Sequence, residues 1–102
     1  MNITFGKYGC RIVFAKYHNK RTAIMLEDLT DLSPVAVATI NIPEHPLDVD
    51  EVIIKDYSEN EGMLNCLVQN KVVSEPIRFI HTGFITAPVC KLLIEPVYEK
   101  EE

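Results

Sequence analysis

From Tyr8 to Ile40 the hydrophobic and polar positions change places every second residue, which is the period of a strand with one buried face. Cys10, Ile12 and Phe14 alternate with Arg11, Val13 and Ala15, and β-branched and aromatic residues are common among them. His18-Asn19-Lys20 is a short polar break in which Asn tolerates the positive φ of a tight turn. Thr22 to Leu26 resumes the alternation, Asp28 to Pro34 reads as a turn, and Val35 to Asn41 reads as a third strand. Strands with such short links predict an antiparallel meander. Two prolines within Ile42-Pro43-Glu44-His45-Pro46-Leu47 remove amide donors and exclude regular structure there. A short strand around Val52, Ile53 and Ile54 follows, within Glu51 to Asp56.

The period then changes. Met63, Leu64, Leu67 and Val68 form an apolar stripe at helical spacing, and Ser58 with Glu61 has the spacing of a capping box. The pattern predicts one helix over about 59–69, with Asn70 as a left-handed stop. Ile77 to Ile80 and Phe84 to Ile94 read as two more strands around His81-Thr82-Gly83. Pro88 cannot donate to a ladder, so it marks an edge, a bulge or a break. The predicted class is α+β: a mostly antiparallel sheet of about five to six strands with one main helix packed on one face. The domain is expected to occupy 1–94, and the acidic tail 95–102 is expected to fray.

Composition narrows the setting. The 102 residues, 47% hydrophobic and 25% charged, suit a single folded domain. Three widely spaced cysteines, Cys10, Cys66 and Cys90, form neither a disulfide framework nor a zinc pattern. The basic start carries no apolar run of a signal peptide, and no stretch is long enough to span a bilayer, so a cytoplasmic protein is expected. The net charge of −5 is unevenly placed. Residues 1–26 carry Lys7, Arg11, Lys16, Lys20 and Arg21 and no acid, whereas 44–61 carry Glu44, Asp48, Asp50, Glu51, Asp56, Glu59 and Glu61 against Lys55 alone.

These charges give two candidate surfaces. The acidic one comprises Asp56, Tyr57, Ser58, Glu59 and Glu61 at the helix start, with Asp48, Asp50 and Glu51 ahead of it. It would steer a protein partner, or a second copy, by charge. The spacing of Asp48, Asp50 and Glu51 lacks the glycine and distal Glu of a calcium loop, so no metal is expected. The basic one comprises Arg11, Lys16, Lys20 and Arg21 with Tyr17, a possible platform for single-stranded nucleic acid, but its cations fall on both faces of the strand. A third alternative is a small enzyme using His81, His45 or Cys90, which requires these side chains to converge in space. No phosphate-binding loop, nucleophile elbow or zinc-protease motif occurs, and no cofactor is expected.

The run Lys55-Asp56-Tyr57-Ser58-Glu59-Asn60-Glu61-Gly62-Met63-Leu64 and the later Ala87-Pro88-Val89-Cys90 resemble a family of small proteins of bacteria, phages, plasmids and conjugative elements, defined by a domain of unknown function. The resemblance implies no chemistry and no catalytic residue. It implies an accessory protein of a mobile element, of the kind that acts by binding other proteins.

Overall fold

The computed structural model describes residues 1–101, and among them the chain forms eight strands and one α-helix. The first sheet contains β1 (Asn2–Phe5), β2 (Tyr8–Lys16), β3 (Thr22–Asp28) and β4 (Pro34–Val37) in that order, all antiparallel. The second sheet holds β5 (Glu51–Ile53), β6 (Arg78–Thr82) and β7 (Ile85–Lys91), with β7 in the middle. A final strand, β8 (Tyr98–Glu101), joins β2 in parallel, on the edge of β2 that β1 occupies further along. The fold is α+β and mostly antiparallel, as the alternation predicts.

The two sheets are connected by a change of partner. Ala38 donates its N–H to Ile24 of β3 at 2.8 Å, but Ile40 donates to Ile53 at 3.0 Å and Lys55 donates back to Ala38 at 2.8 Å. The predicted strand Val35–Asn41 is therefore two pieces: β4, and a bridge at Thr39 and Ile54. The helix α1 (Met63–Gln69) lies in the angle between the sheets. Met63 and Leu67 pack there against Ile12, Phe14, Ile24 and Leu26 of the first sheet and Val52, Ile54 and Cys90 of the second. Removing Leu67 from water contributes roughly 2–3 kcal/mol. On the reverse face of the second sheet, Ile53, Ile80, Ala87 and Val89 are covered by Ile40, Ile42 and Leu47. With both faces covered, Val52-Ile53-Ile54 and Ala87-Pro88-Val89-Cys90 are buried continuously and show no alternation.

Several local expectations change. The helix starts at Met63, preceded by a separate 3₁₀ turn over Ser58–Asn60. Gly62, at φ 95°, breaks the continuity, and Ser58 itself sits at φ 55° and caps nothing with its side chain. The acceptor for the helix start is Asp56, whose Oδ1 takes the Leu64 N–H at 2.8 Å. Buried Asn60 anchors the 3₁₀ turn by donating its side-chain amide to the Val37 carbonyl at 2.7 Å. At the other end the left-handed residue is Lys71 (φ 61°), not Asn70 (φ −90°), whose side chain donates to the Cys66 carbonyl. Pro88 lies within β7, and its carbonyl accepts Ile54 N–H at 2.9 Å. The reciprocal bond needs the donor that proline lacks, and the β5 register ends one step away at Ile53–Val89. The expected frayed tail is instead paired from Tyr98 to Glu101, while Glu102 lies outside the described residues. β1 precedes the first strand read from the pattern; only Ile3 in it is buried, so it offers almost no periodic signal.

Candidate interaction surface

The acidic segment does not converge on one surface. Glu51 is buried, and Arg78 holds its two carboxylate oxygens at 2.9 and 3.1 Å while the Asp48 N–H donates to it at 3.0 Å. The Arg78 bonds lead in holding its carboxyl down at about 2. It belongs to the core boundary rather than to a solvated acidic loop. Asp56 is committed to the helix start. Glu59 pairs with Lys55, which also lies 5.6 Å from the centre of the Tyr57 ring. Asp50 pairs with Lys91 at 3.4 Å. Asp48, Ser58, Glu59 and Glu61 keep exposed side chains, and Tyr57 is half-buried. Among the described residues no cluster of three or more His, Cys, Asp or Glu could hold a metal ion.

The basic candidates are distributed in the same way. Arg11 bonds to Glu27 at 3.0 Å and to Glu99 of β8 at 3.1 Å. Glu27 is buried and bonds Lys100 as well, so its carboxyl is held low first by Lys100 and, against burial, by Arg11. Lys16 lies 4.7 Å from the centre of the Tyr98 ring. Arg21 turns into the proline loop and donates to the carbonyls of Ile42, Pro43 and His45. The Tyr17 hydroxyl meets Thr39 Oγ1 at 2.9 Å. Lys20 forms the left-handed corner of the turn at φ 73°. Most of these cations hold β8 or the proline loop in place.

The histidines and cysteines stay apart. His81 Nδ1 bonds Thr86 Oγ1 at 3.0 Å on the exposed face of the β6–β7 hairpin. Cys90 lies four residues beyond Thr86 along β7, about 13 Å at strand spacing. It is fully buried, and burial pushes its thiol up to about 12. His45 accepts from Arg78 Nε at 3.3 Å on the other side of the sheet. An open groove of about 440 Å³, lined by Lys16, Val49, Asp50, Leu93 and Tyr98 among others, includes no histidine or cysteine.

One edge of the fold stands out by what it lacks. From Phe79 to Cys90 there is no Asp, Glu, Lys or Arg. The hairpin closes on Thr82 and Ile85 through Gly83-Phe84, with Gly83 at φ 56° in the first turn position, where a type II′ turn requires glycine. That closing pair sets the direction of every backbone group in β6. Arg78, Ile80 and Thr82 turn their N–H and C=O groups to β7, and Phe79 and His81 turn theirs outward, where no strand of the described residues lies. Phe79 is 55% exposed, Ile77 is 44% exposed and Phe84 stands fully in solvent at the turn. The other edges carry obstacles. β4 begins at Pro34 and gives its Val37 carbonyl to Asn60, β8 carries Glu99 and Lys100, and the Thr4 carbonyl of β1 accepts from the Cys66 thiol. Arg78, the charge at the head of β6, is turned away to Glu51. The pattern predicts a strand here, and its missing charges are legible in the letters, but the direction of its backbone groups is not.

Among the described residues no helix is long and apolar enough to cross a membrane. Comparison with models of protein families, with curated proteins and with solved structures gives no match.

Proposed function

We propose that this chain is a non-enzymatic protein-interaction module that receives an extended segment of another polypeptide along β6. The observation that carries the reading is the open edge: outward backbone groups at Phe79 and His81 flanked by exposed Ile77, Phe79 and Phe84, with no charge to repel a strand. Added strands gain affinity from main-chain bonds and selectivity from alternate side chains. The net charge of −5, with exposed carboxylates at Asp48, Glu59 and Glu61, favours a basic partner by steering its approach. In this reading the net negative charge speeds encounter and β6 provides the grip. A role as an accessory protein of a mobile element belongs to the same proposal and rests on the family resemblance alone. Contact with nucleic acid is the weaker reading, because Arg11, Lys16 and Arg21 are already engaged within the fold.

The test replaces Phe84 with a photo-cross-linking phenylalanine analogue, with and without Phe79→Lys. A charge on the edge should abolish the adducts formed at position 84, and Glu59→Gln with Glu61→Gln should slow their formation. Absence of adducts at 84, or adducts indifferent to Phe79→Lys, would falsify the assignment.

A further inference from the structure

We infer that the segment received by β6 runs antiparallel to it and carries Lys or Arg just C-terminal to its apolar paired residues. This rests on the reading of β6 as a receiving edge and names the chemistry and direction of its occupant. The backbone sets the first requirement. Phe79 and His81 offer outward N–H and C=O groups, and an antiparallel residue opposite each can exchange both bonds with it. β5, β7 and β6 already alternate in direction, so an antiparallel segment continues their pattern. Neither paired residue of the segment can be proline, which lacks the donor. An apolar or β-branched residue opposite Phe79 fits a ring that is 55% exposed.

Charge sets the direction, because the edge is neutral at its turn and acidic at its head. Towards the turn, Phe79 to Cys90 holds no charged residue. Towards the head, the stretch 74–77 continues along β7: Ser74 donates its N–H to the Lys91 carbonyl and Ile77 to the Val89 carbonyl, each at 2.8 Å. Glu75 lies in this stretch with an exposed side chain. The proline loop brings two more acids to the same end. Arg78 donates to the Pro46 carbonyl at 3.1 Å and to His45 Nε2 at 3.3 Å, so exposed Glu44 and Asp48 flank the head of β6. Among the described residues no cation pairs with Glu44, Asp48 or Glu75. Arg78 is matched by Glu51 and Lys91 by Asp50, and Arg21, bound to the loop carbonyls, offsets only part of the excess. An antiparallel segment brings its C-terminal end to these acids. Glu75 precedes Phe79 by four residues, about 13 Å at strand spacing. The basic residues therefore fall roughly three to five positions beyond the one opposite Phe79. A segment with its cations on the N-terminal side would set them beside the uncharged turn instead.

Amide NMR titration of the intact chain with terminally blocked synthetic peptides is the test. Each peptide alternates Thr and Val; one ends in a lysine pair, one begins with it, and one ends in a glutamate pair. The C-terminal lysine peptide should move the amides of Phe79 and His81 and bind roughly three- to tenfold tighter than the N-terminal one. The glutamate peptide should bind weakest. Salt at about 1 M, or Glu44→Gln, Asp48→Asn and Glu75→Gln together, should bring the two lysine peptides level. Phe79→Lys should weaken the C-terminal lysine peptide. Equal binding of the two lysine peptides at low salt, or tighter binding of the N-terminal one, overturns the inference, while shifts at Phe79 and His81 keep the edge itself. A gap that survives both salt and the triple variant overturns the acids as its cause. If no peptide at about 1 mM moves those amides, the inference fails, and adducts at position 84 decide the interaction module separately.

Discussion

Arg78→Met separates the role of the Glu51–Arg78 pair from that of the exposed acids. Glu51 keeps only 5% of its side chain exposed, and its carboxyl is held down at about 2 against an ordinary 4.5. At about 1.36 kcal/mol per pH unit, that difference sets an upper limit of roughly 3.4 kcal/mol. Arg78 is 37% exposed, so water screens its share, and about 2 kcal/mol is the expected contribution. A depressed carboxyl stabilises the fold above the unfolded value of 4.5, and this contribution is lost as pH falls towards about 2. Without Arg78, the Asp48 N–H still offsets burial at this carboxyl, so most of the depression is lost and no opposite shift replaces it. Urea unfolding should thus show Arg78→Met weaker by about 2 kcal/mol at pH 7 and nearly as much at pH 5, with the gap narrowing at pH 3. A gap equally wide at pH 3 and pH 7 would mean that Arg78 acts through its bonds to Pro46 and His45, and would refute the electrostatic account.

Other substitutions test the remaining assignments. Asp56→Ala should cost about 1 kcal/mol in thermal or urea unfolding and Ser58→Ala almost nothing, the reverse of what a capping box at Ser58 requires. Leu67→Ala should lower stability by about 2–5 kcal/mol, measured by the urea midpoint. Gly83→Ala meets no neighbouring atom within 4 Å, so its cost, about 1 kcal/mol, should come from the positive φ alone, with no change in the core's NMR shifts. Cys90 should resist thiol reagents at pH 8 in the folded chain and react once urea unfolds it, because it is fully buried and its thiol is pushed up to about 12.

The elements legible in the sequence are those with one dry and one wet face. β2 and β3 announce themselves because Ile12, Phe14, Ile24 and Leu26 face one core. The second sheet is harder to read, since α1 and the proline loop cover both its faces and erase the alternation. The helix stripe was plain, but its start was displaced because Gly62 takes a left-handed backbone and lets Asp56 act across the break. Glu51 read as a solvated acid because its cation is 27 residues away. β8 was hidden by its own charges, whose partners Glu27 and Arg11 lie near the other end of the chain. The candidate edge was half visible: a charge-free run can be read from letters, but which of its amides face outward depends on the hairpin closing at Thr82 and Ile85.

The parallel placement of β8 against β2 has a consequence for synthesis. β1, β2 and β3 are joined by tight turns and can pair as soon as they leave the ribosome, but Phe14, Ala15 and Lys16 must wait for Tyr98 to Glu101. Through most of translation β2 therefore carries one bare half-edge, and buried Glu27 lacks its Lys100. The nascent chain is most open to mispairing at Lys16, at the opposite end of the fold's history from β6, whose hairpin closes within a few residues of its own turn.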